Sequence, residues 1–314
     1  MGEIAPVILP VFLLIFLGSL LKRAAFLSEG FWDGAERITY YLLFPALLAA
    51  TLAEADFAGL AVDGMAAAIV LALVAMALIL LALRPLLGAS GPAFTSVAQG
   101  SLRQNTYIGL ALCFGLWGES GLTAAAVAVA VIVPLVNLLS VALLTVFGAG
   151  ARPTARSPGA TARQIGRVAL TLARNPLVLA CLLGLALNLS GLGLPPIVGP
   201  MLEILARGAL PMGLLAVGAA LDPAAALAAG RLVAIASVLK LALLPGLTAL
   251  ACRAFGVEGL AADVAILFSA LPTAASSYIL ARQLGGDAGL MASTITLQTA
   301  LALATLPLVL MLLG

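Results

Sequence analysis

Histidine is absent from all 314 residues, and charged side chains make up only 9% of the chain, against roughly 25% in ordinary soluble domains. The first absence removes the side chain that titrates nearest neutrality and the commonest ligand for zinc or haem. The second removes the solvated surface that a water-soluble domain of this length needs. Cysteine is scarce: Cys113, Cys181 and Cys252 stand far apart in apolar surroundings, so they form neither a disulfide framework nor a metal cluster and read as small buried hydrophobes. No HExxH run and no paired acids occur inside the apolar segments. An enzyme is therefore not expected, nor a cofactor, a metal centre or a nucleic-acid partner. No basic stretch precedes the first apolar run and no small-residue cleavage site follows it, so residues 4–21 are expected to form a retained helix and not a signal peptide.

What is present is hydrophobic residue in bulk, 63% of the chain, and the expected fold class is an all-α integral membrane protein. Apolar segments of about 20 residues mark spanning helices. Ten are predicted, at 4–21, 36–53, 64–87, 92–116, 121–147, 175–190, 197–220, 231–252, 260–283 and 288–312. Between the fifth and sixth lies a basic loop, 148–174, carrying Arg152, Arg156, Arg163, Arg167 and Arg174. If that loop is cytoplasmic, Lys22, Arg23, Arg84, Arg231 and Arg282 fall on the same side, and Arg253 alone on the other. The positive-inside bias then places both termini outside, in a membrane of bacterial inner-membrane type.

Five helices, a loop and five more helices are what an inverted repeat requires, since an odd number of spans reverses the second copy. Residues 1–147 and 175–314 are the expected repeats. Pro45 and Asp56 recur as Pro211 and Asp222 at the same separation, and Gly118-Glu119-Ser120-Gly121-Leu122 recurs as Gly286-Asp287-Ala288-Gly289-Leu290.

Two polar breaks interrupt the apolar pattern. One is QGSLRQNTYIG, Gln99 to Gly109, in helix 4; the other is SALPTAASS, Ser269 to Ser277, in helix 9. Unsatisfied polar groups in lipid cost several kcal/mol, so such clusters face protein or a water-filled cavity and mark a site. Each broken helix presents a positive half-dipole where its second piece begins, and two crossing at mid-membrane make a small-ion site built largely from backbone. The candidate substrate-binding residues are Arg103, Asn105, Thr106, Tyr107, Asn137, Pro272, Thr273, Ser276 and Ser277. Lys240 and Gln298 are candidates for ion coordination or structural support. Arg103 and Lys240 lie roughly 16 Å and 13 Å along their helices from the inner ends, too deep for easy snorkelling. No carboxylate sits in helices 4, 5, 8, 9 or 10 away from their ends, so electroneutrality favours an anionic guest. The structural alternative, a proline kink with Ser and Thr packed between small residues, stays open. Glu203 and Arg207, four apart on helix 7, are expected to bridge one another.

In order along the chain, FLLIFLGSLLKR, LLFPALLAATLA, RQNTYIGLAL, ALPMGLLAVGAAL and ALPTAASSYILARQLGGD resemble the auxin efflux carrier family, which includes plant exporters and bacterial relatives associated with malate or malonate. The resemblance covers nearly the whole chain. It implies ten helices in two inverted repeats with helices 4 and 9 crossed, a fold shared with bile-acid symporters and sodium/proton antiporters. It implies a scaffold of helices 1, 2, 6 and 7, a transport domain of helices 3–5 and 8–10, elevator-type alternating access and a homodimer. The family's crossover asparagine and hydroxyl map onto Asn105 and Thr106, and its crossover proline onto Pro272; helix 4 departs from the pattern in having no proline at its break. The function expected is a secondary active or potential-driven carrier of small organic anions, either monocarboxylates or dicarboxylates. A cation/proton antiporter or a sodium-coupled symporter of the same fold is the alternative, and a membrane sensor or structural bundle the alternative outside transport.

Overall fold

A computed structural model describes residues 5–57, 60–149, 175–227 and 230–313. The basic loop expected at 148–174 lies outside the described residues beyond Ala149. Among the described residues every regular element is helical: α1 (Ala5–Arg23), α2 (Glu29–Ile38), α3 (Phe44–Ala53), α4 (Val62–Leu87), α5 (Gly91–Leu102), α6 (Thr106–Phe147), α7 (Pro176–Leu189), α8 (Val198–Ala219), α9 (Pro223–Leu227), α10 (Arg231–Val238), α11 (Leu244–Ala254), α12 (Gly259–Ala270), α13 (Ser276–Leu284) and α14 (Ala288–Leu313). Six stretches among them are long and apolar enough to cross a membrane: α1, α4, the run from α5 through α6, α8, the run from α10 through α11, and α14. Two shorter apolar helices, α7 and α12, accompany them.

Local sequence explains where these helices begin and bend. α2 starts seven residues before the apolar segment at 36–53, because Ser28 caps it, its Oγ accepting from Phe31 N at 3.3 Å, and Glu29 complements the positive end of the first turn. Helix caps and amphipathic turns carry no hydropathy signal. Proline accounts for the turns that join α2 to α3 and α10 to α11. Pro45 and Pro245 have no N–H to close the usual ladder, and the residues just before them, Phe44 and Leu244, donate five residues back to Thr39 and Leu239. Thr39–Leu43 and Leu239–Leu243 are π-turns for that reason. The helices expected at 92–116 and 121–147 are likewise separated: the helical stretch Thr106–Phe147 is two helices that meet at Gly118, whose φ of 59° and ψ of −142° are non-helical and which only glycine adopts readily.

Packing divides into two neighbourhoods. α1 lies along α8, and α3 lies along both α7 and α8. The α1–α8 contact is backbone to backbone: a Cβ at Gly18 would strike the main chain of Leu215, and one at Gly218 the main chain of Ile15. Small residues permit that approach where lipid leaves no hydrophobic drive between helices. Elsewhere α4 packs on α6 and α11, α12 on α6 and α11, and α5 on α6, α10 and α14. α6 touches members of both neighbourhoods. Among the described residues Glu203 and Arg207 form no ion pair, whereas Lys22 and Glu29 do, at 3.3 Å.

Candidate functional site

Both polar stretches are helix breaks, and they meet. α5 ends at Leu102, the chain runs extended through Arg103 to Asn105, and α6 begins at Thr106 with the Asn105 side chain accepting from Ile108 N at 3.3 Å. α12 ends at Ala270 because Leu271 precedes proline and is held extended, at φ −64° and ψ 150°. α13 then begins at Ser276. Asn105 N donates to Pro272 O at 2.8 Å, so the two breaks are joined through the carbonyl that the end of α12 leaves free.

Gln298 on α14 fastens the same point from the side. Its Oε1 accepts from Thr273 N at 2.9 Å and its Nε2 donates to Gly100 O at 3.0 Å. One buried amide thereby satisfies an orphan donor from one break and an orphan acceptor from the other, which is what a fully connected buried network demands. Thr273 Oγ1 reaches Gln99 O at 3.4 Å and pairs with Ser277 Oγ at 3.3 Å.

Arg103 turns away from this clamp. Its Nη1 donates to Asn137 Oδ1 at 2.8 Å and its Nη2 to Ser276 Oγ at 3.1 Å, while Nε is buried without a partner. The residue is 9% exposed, and both partners are neutral oxygens. Beside it, the Tyr107 ring stacks on Phe44 of α3, centroids 4.3 Å apart and planes 15° from parallel. Gly213 on α8 leaves room for that stack; a Cβ there would sit 2.8 Å from the Phe44 ring and 3.2 Å from Tyr107.

Of the residues singled out in the sequence, the structure bonds Arg103 to Asn137 and Ser276, Thr273 to Gln298 and Ser277, and Asn105 to Pro272, while Tyr107 packs on Phe44. Thr106 is the first residue of α6 and half-buried. Lys240 is fully buried in the π-turn before α11, and its Nζ has no hydrogen-bond partner. Sequence reasoning passed over Gln99 and Gln104, both buried with neither amide atom bonded; their place inside the first polar run was the available signal. It also passed over Phe44 and Gly213, for which no signal existed, since their importance comes only from Tyr107 being folded against them. α6 and α13 both start at this crossing and α5 and α12 both end there, so two positive and two negative half-dipoles converge on one small region.

A family model described as membrane transport protein matches residues 4–310. No curated protein matches the chain.

Proposed function

The chain belongs to the membrane transport protein family, that of the auxin efflux carriers, and from that premise we propose that it carries a small organic anion, a mono- or dicarboxylate, at the crossing of its two broken helices. The chain is a multi-pass integral membrane protein of a transport family. The observation that carries the proposal is Arg103. A buried guanidinium bonded only to an amide and a hydroxyl, with no carboxylate on either break, holds uncompensated positive charge that a guest carboxylate relieves. The starts of α6 and α13 add positive half-dipoles to the same region. A cation/proton antiporter needs a titrating carboxylate at such a crossing, and residues 99–109 and 269–277 contain none.

The carrier on this reading has ten passes in two inverted five-helix repeats, 1–147 and 175–314. α1, α2 with α3, α7 and α8 make the scaffold, and the remaining helices make a transport domain that moves past it as an elevator. The packing of α1 on α8 and of α3 on α7 and α8 supports the grouping. A homodimer in an inner membrane, with both termini outside and the 148–174 loop inside, completes the proposal. Transport in proteoliposomes against a panel of carboxylates, with and without sodium and a pH gradient, tests it. At least one carboxylate is expected to move; movement of cations with none of the carboxylates would overturn the reading.

Orientation has its own test. The three native cysteines are buried, so cysteines placed at exposed Ser190 and exposed Ala24 report the two sides. A membrane-impermeant maleimide applied to intact cells is expected to label Ser190→Cys and spare Ala24→Cys. The reverse pattern would invert the topology.

A further inference from the structure

We propose that the cavity beyond the ends of α1 and α8 is a binding site for one phospholipid whose zwitterionic headgroup ends in a primary ammonium, as in phosphatidylethanolamine. The assignment is independent of what the carrier moves.

α1 ends at Arg23 and α8 at Ala219, side by side because Gly18 and Gly218 let the two backbones touch. Beyond these ends lies a cavity of about 470 Å³, walled by Ser19, Lys22 and Arg23 of α1, by Glu29 at the start of α2, and by residues 219–224 with Asp222 among them. That volume is in the range of small-molecule sites, roughly 300–1,000 Å³. Two cations and two carboxylates line it, and only one pair is matched. Lys22 and Glu29 bridge at 3.3 Å. Arg23 and Asp222 share the cavity and form no ion pair among the described residues. Asp222 gives Oδ1 to the amides of Ala224 and Ala225, at 3.0 and 3.2 Å, which leaves its second oxygen to a guest.

A guanidinium and a carboxylate on the walls of one cavity, unpaired with each other, match a ligand that is anionic at one end and cationic at the other. The guanidinium fork suits a phosphate, and a primary ammonium has three N–H groups to donate to carboxylate oxygens. α1 and α8 both end here, and their negative half-dipoles favour the ammonium further. The approach to the cavity makes the guest a lipid. α1 is long and apolar enough to cross a membrane, so its last turn stands at headgroup depth. Phe16, Leu20 and Arg23 succeed one another at helical spacing on one face, and Phe16 and Leu20 are 65% and 51% exposed. An acyl chain lying on that stripe brings its headgroup to Arg23. The cavity also joins the two packing neighbourhoods: Asp222 N donates to Thr296 Oγ1 on α14 at 3.1 Å. The headgroup therefore sits between the α1–α8 pair and a segment fastened to the helix that carries Gln298.

Thermal unfolding of the purified, delipidated protein in detergent tests the assignment, with phosphatidylethanolamine, phosphatidylcholine, phosphatidylglycerol or soluble glycerophosphoethanolamine added. Wild type is expected to melt higher with saturating dependence on phosphatidylethanolamine, which binds only the folded state. Phosphatidylcholine keeps the charge and loses the N–H donors, and phosphatidylglycerol keeps the phosphate and loses the cation, so neither should match it at equal mole fraction. Arg23→Gln and Asp222→Asn should each raise the half-saturating phosphatidylethanolamine concentration about tenfold or more, the loss expected for one charge-assisted bond. Both side chains are exposed and asparagine caps a helix as aspartate does, so the variants should fold, and their melting without lipid checks that they do. Equal stabilisation by phosphatidylcholine would show that the amine is not read, and equal stabilisation by phosphatidylglycerol would reduce the cavity to a basic surface. Glycerophosphoethanolamine acting as strongly as the lipid would make the guest a free solute. Any of these results, no response of wild type to any lipid, or a wild-type response in both variants, would overturn the proposal.

Discussion

Arg103→Gln is expected to lose carboxylate binding and transport while keeping the fold. Arg103 Nε faces no protein partner and the guanidinium has no counter-charge among its neighbours, so the charge-assisted bonds it offers are directed at the guest. Such bonds contribute about 1.5–3 kcal/mol, which corresponds to a fall in affinity of roughly 10- to 150-fold. Stability should change far less, because glutamine can still donate to Asn137 or Ser276 and the change removes a costly buried charge. Arg103→Lys retains the charge and loses the planar fork, so it should bind more weakly than wild type and more tightly than Arg103→Gln. Equilibrium binding by calorimetry, with melting curves as the control, checks the order. A glutamine variant with wild-type affinity would remove Arg103 from the site and leave it a structural group.

The largest effect on folding should come from Gln298→Leu. The side chain is 0% exposed and is the single link between Thr273 N and Gly100 O. Leucine would fill similar space and leave one N–H and one C=O buried without partners. Each orphan costs about 1–3 kcal/mol, so a loss of about 2–6 kcal/mol is expected, a large part of the stability of an ordinary domain. Gln298→Glu separates the two halves of the role: a carboxylate still accepts from Thr273 N and cannot donate to Gly100 O. Denaturation in detergent should order the three proteins as wild type above both variants. If Gln298→Leu melts with wild type, the clamp is not what holds the breaks together.

Much of this protein is legible in its sequence. Lipid leaves a backbone no partner but itself, so long apolar segments can only be helices, and that rule alone identifies α1, α4, α8 and α14. The two polar stretches announce themselves for the same reason, since Arg103 and Asn105, or Pro272 and Thr273, can stand in an apolar run only where something inside the protein satisfies them. Helix chemistry locates the breaks closely: Asn105 is a capping residue and Leu271 precedes proline.

Tertiary structure alone decided who satisfies whom. Asn105 N meets Pro272 O across 167 positions of chain, and Gln298 joins Thr273 to Gly100, bonds between groups whose hydropathy and propensity carry no address. The sequence marked Arg103 and Lys240 alike, as two cations too deep for water. Packing separated them, giving Arg103 the neutral partners Asn137 and Ser276 with an unbonded Nε, and sealing Lys240 in a π-turn packed on α5, α12 and α14. The beginning of α2 also belongs to structure. A cap is a local backbone event worth about 1 kcal/mol, too small to register in a pattern set by the far larger free energy of moving 20 residues out of water.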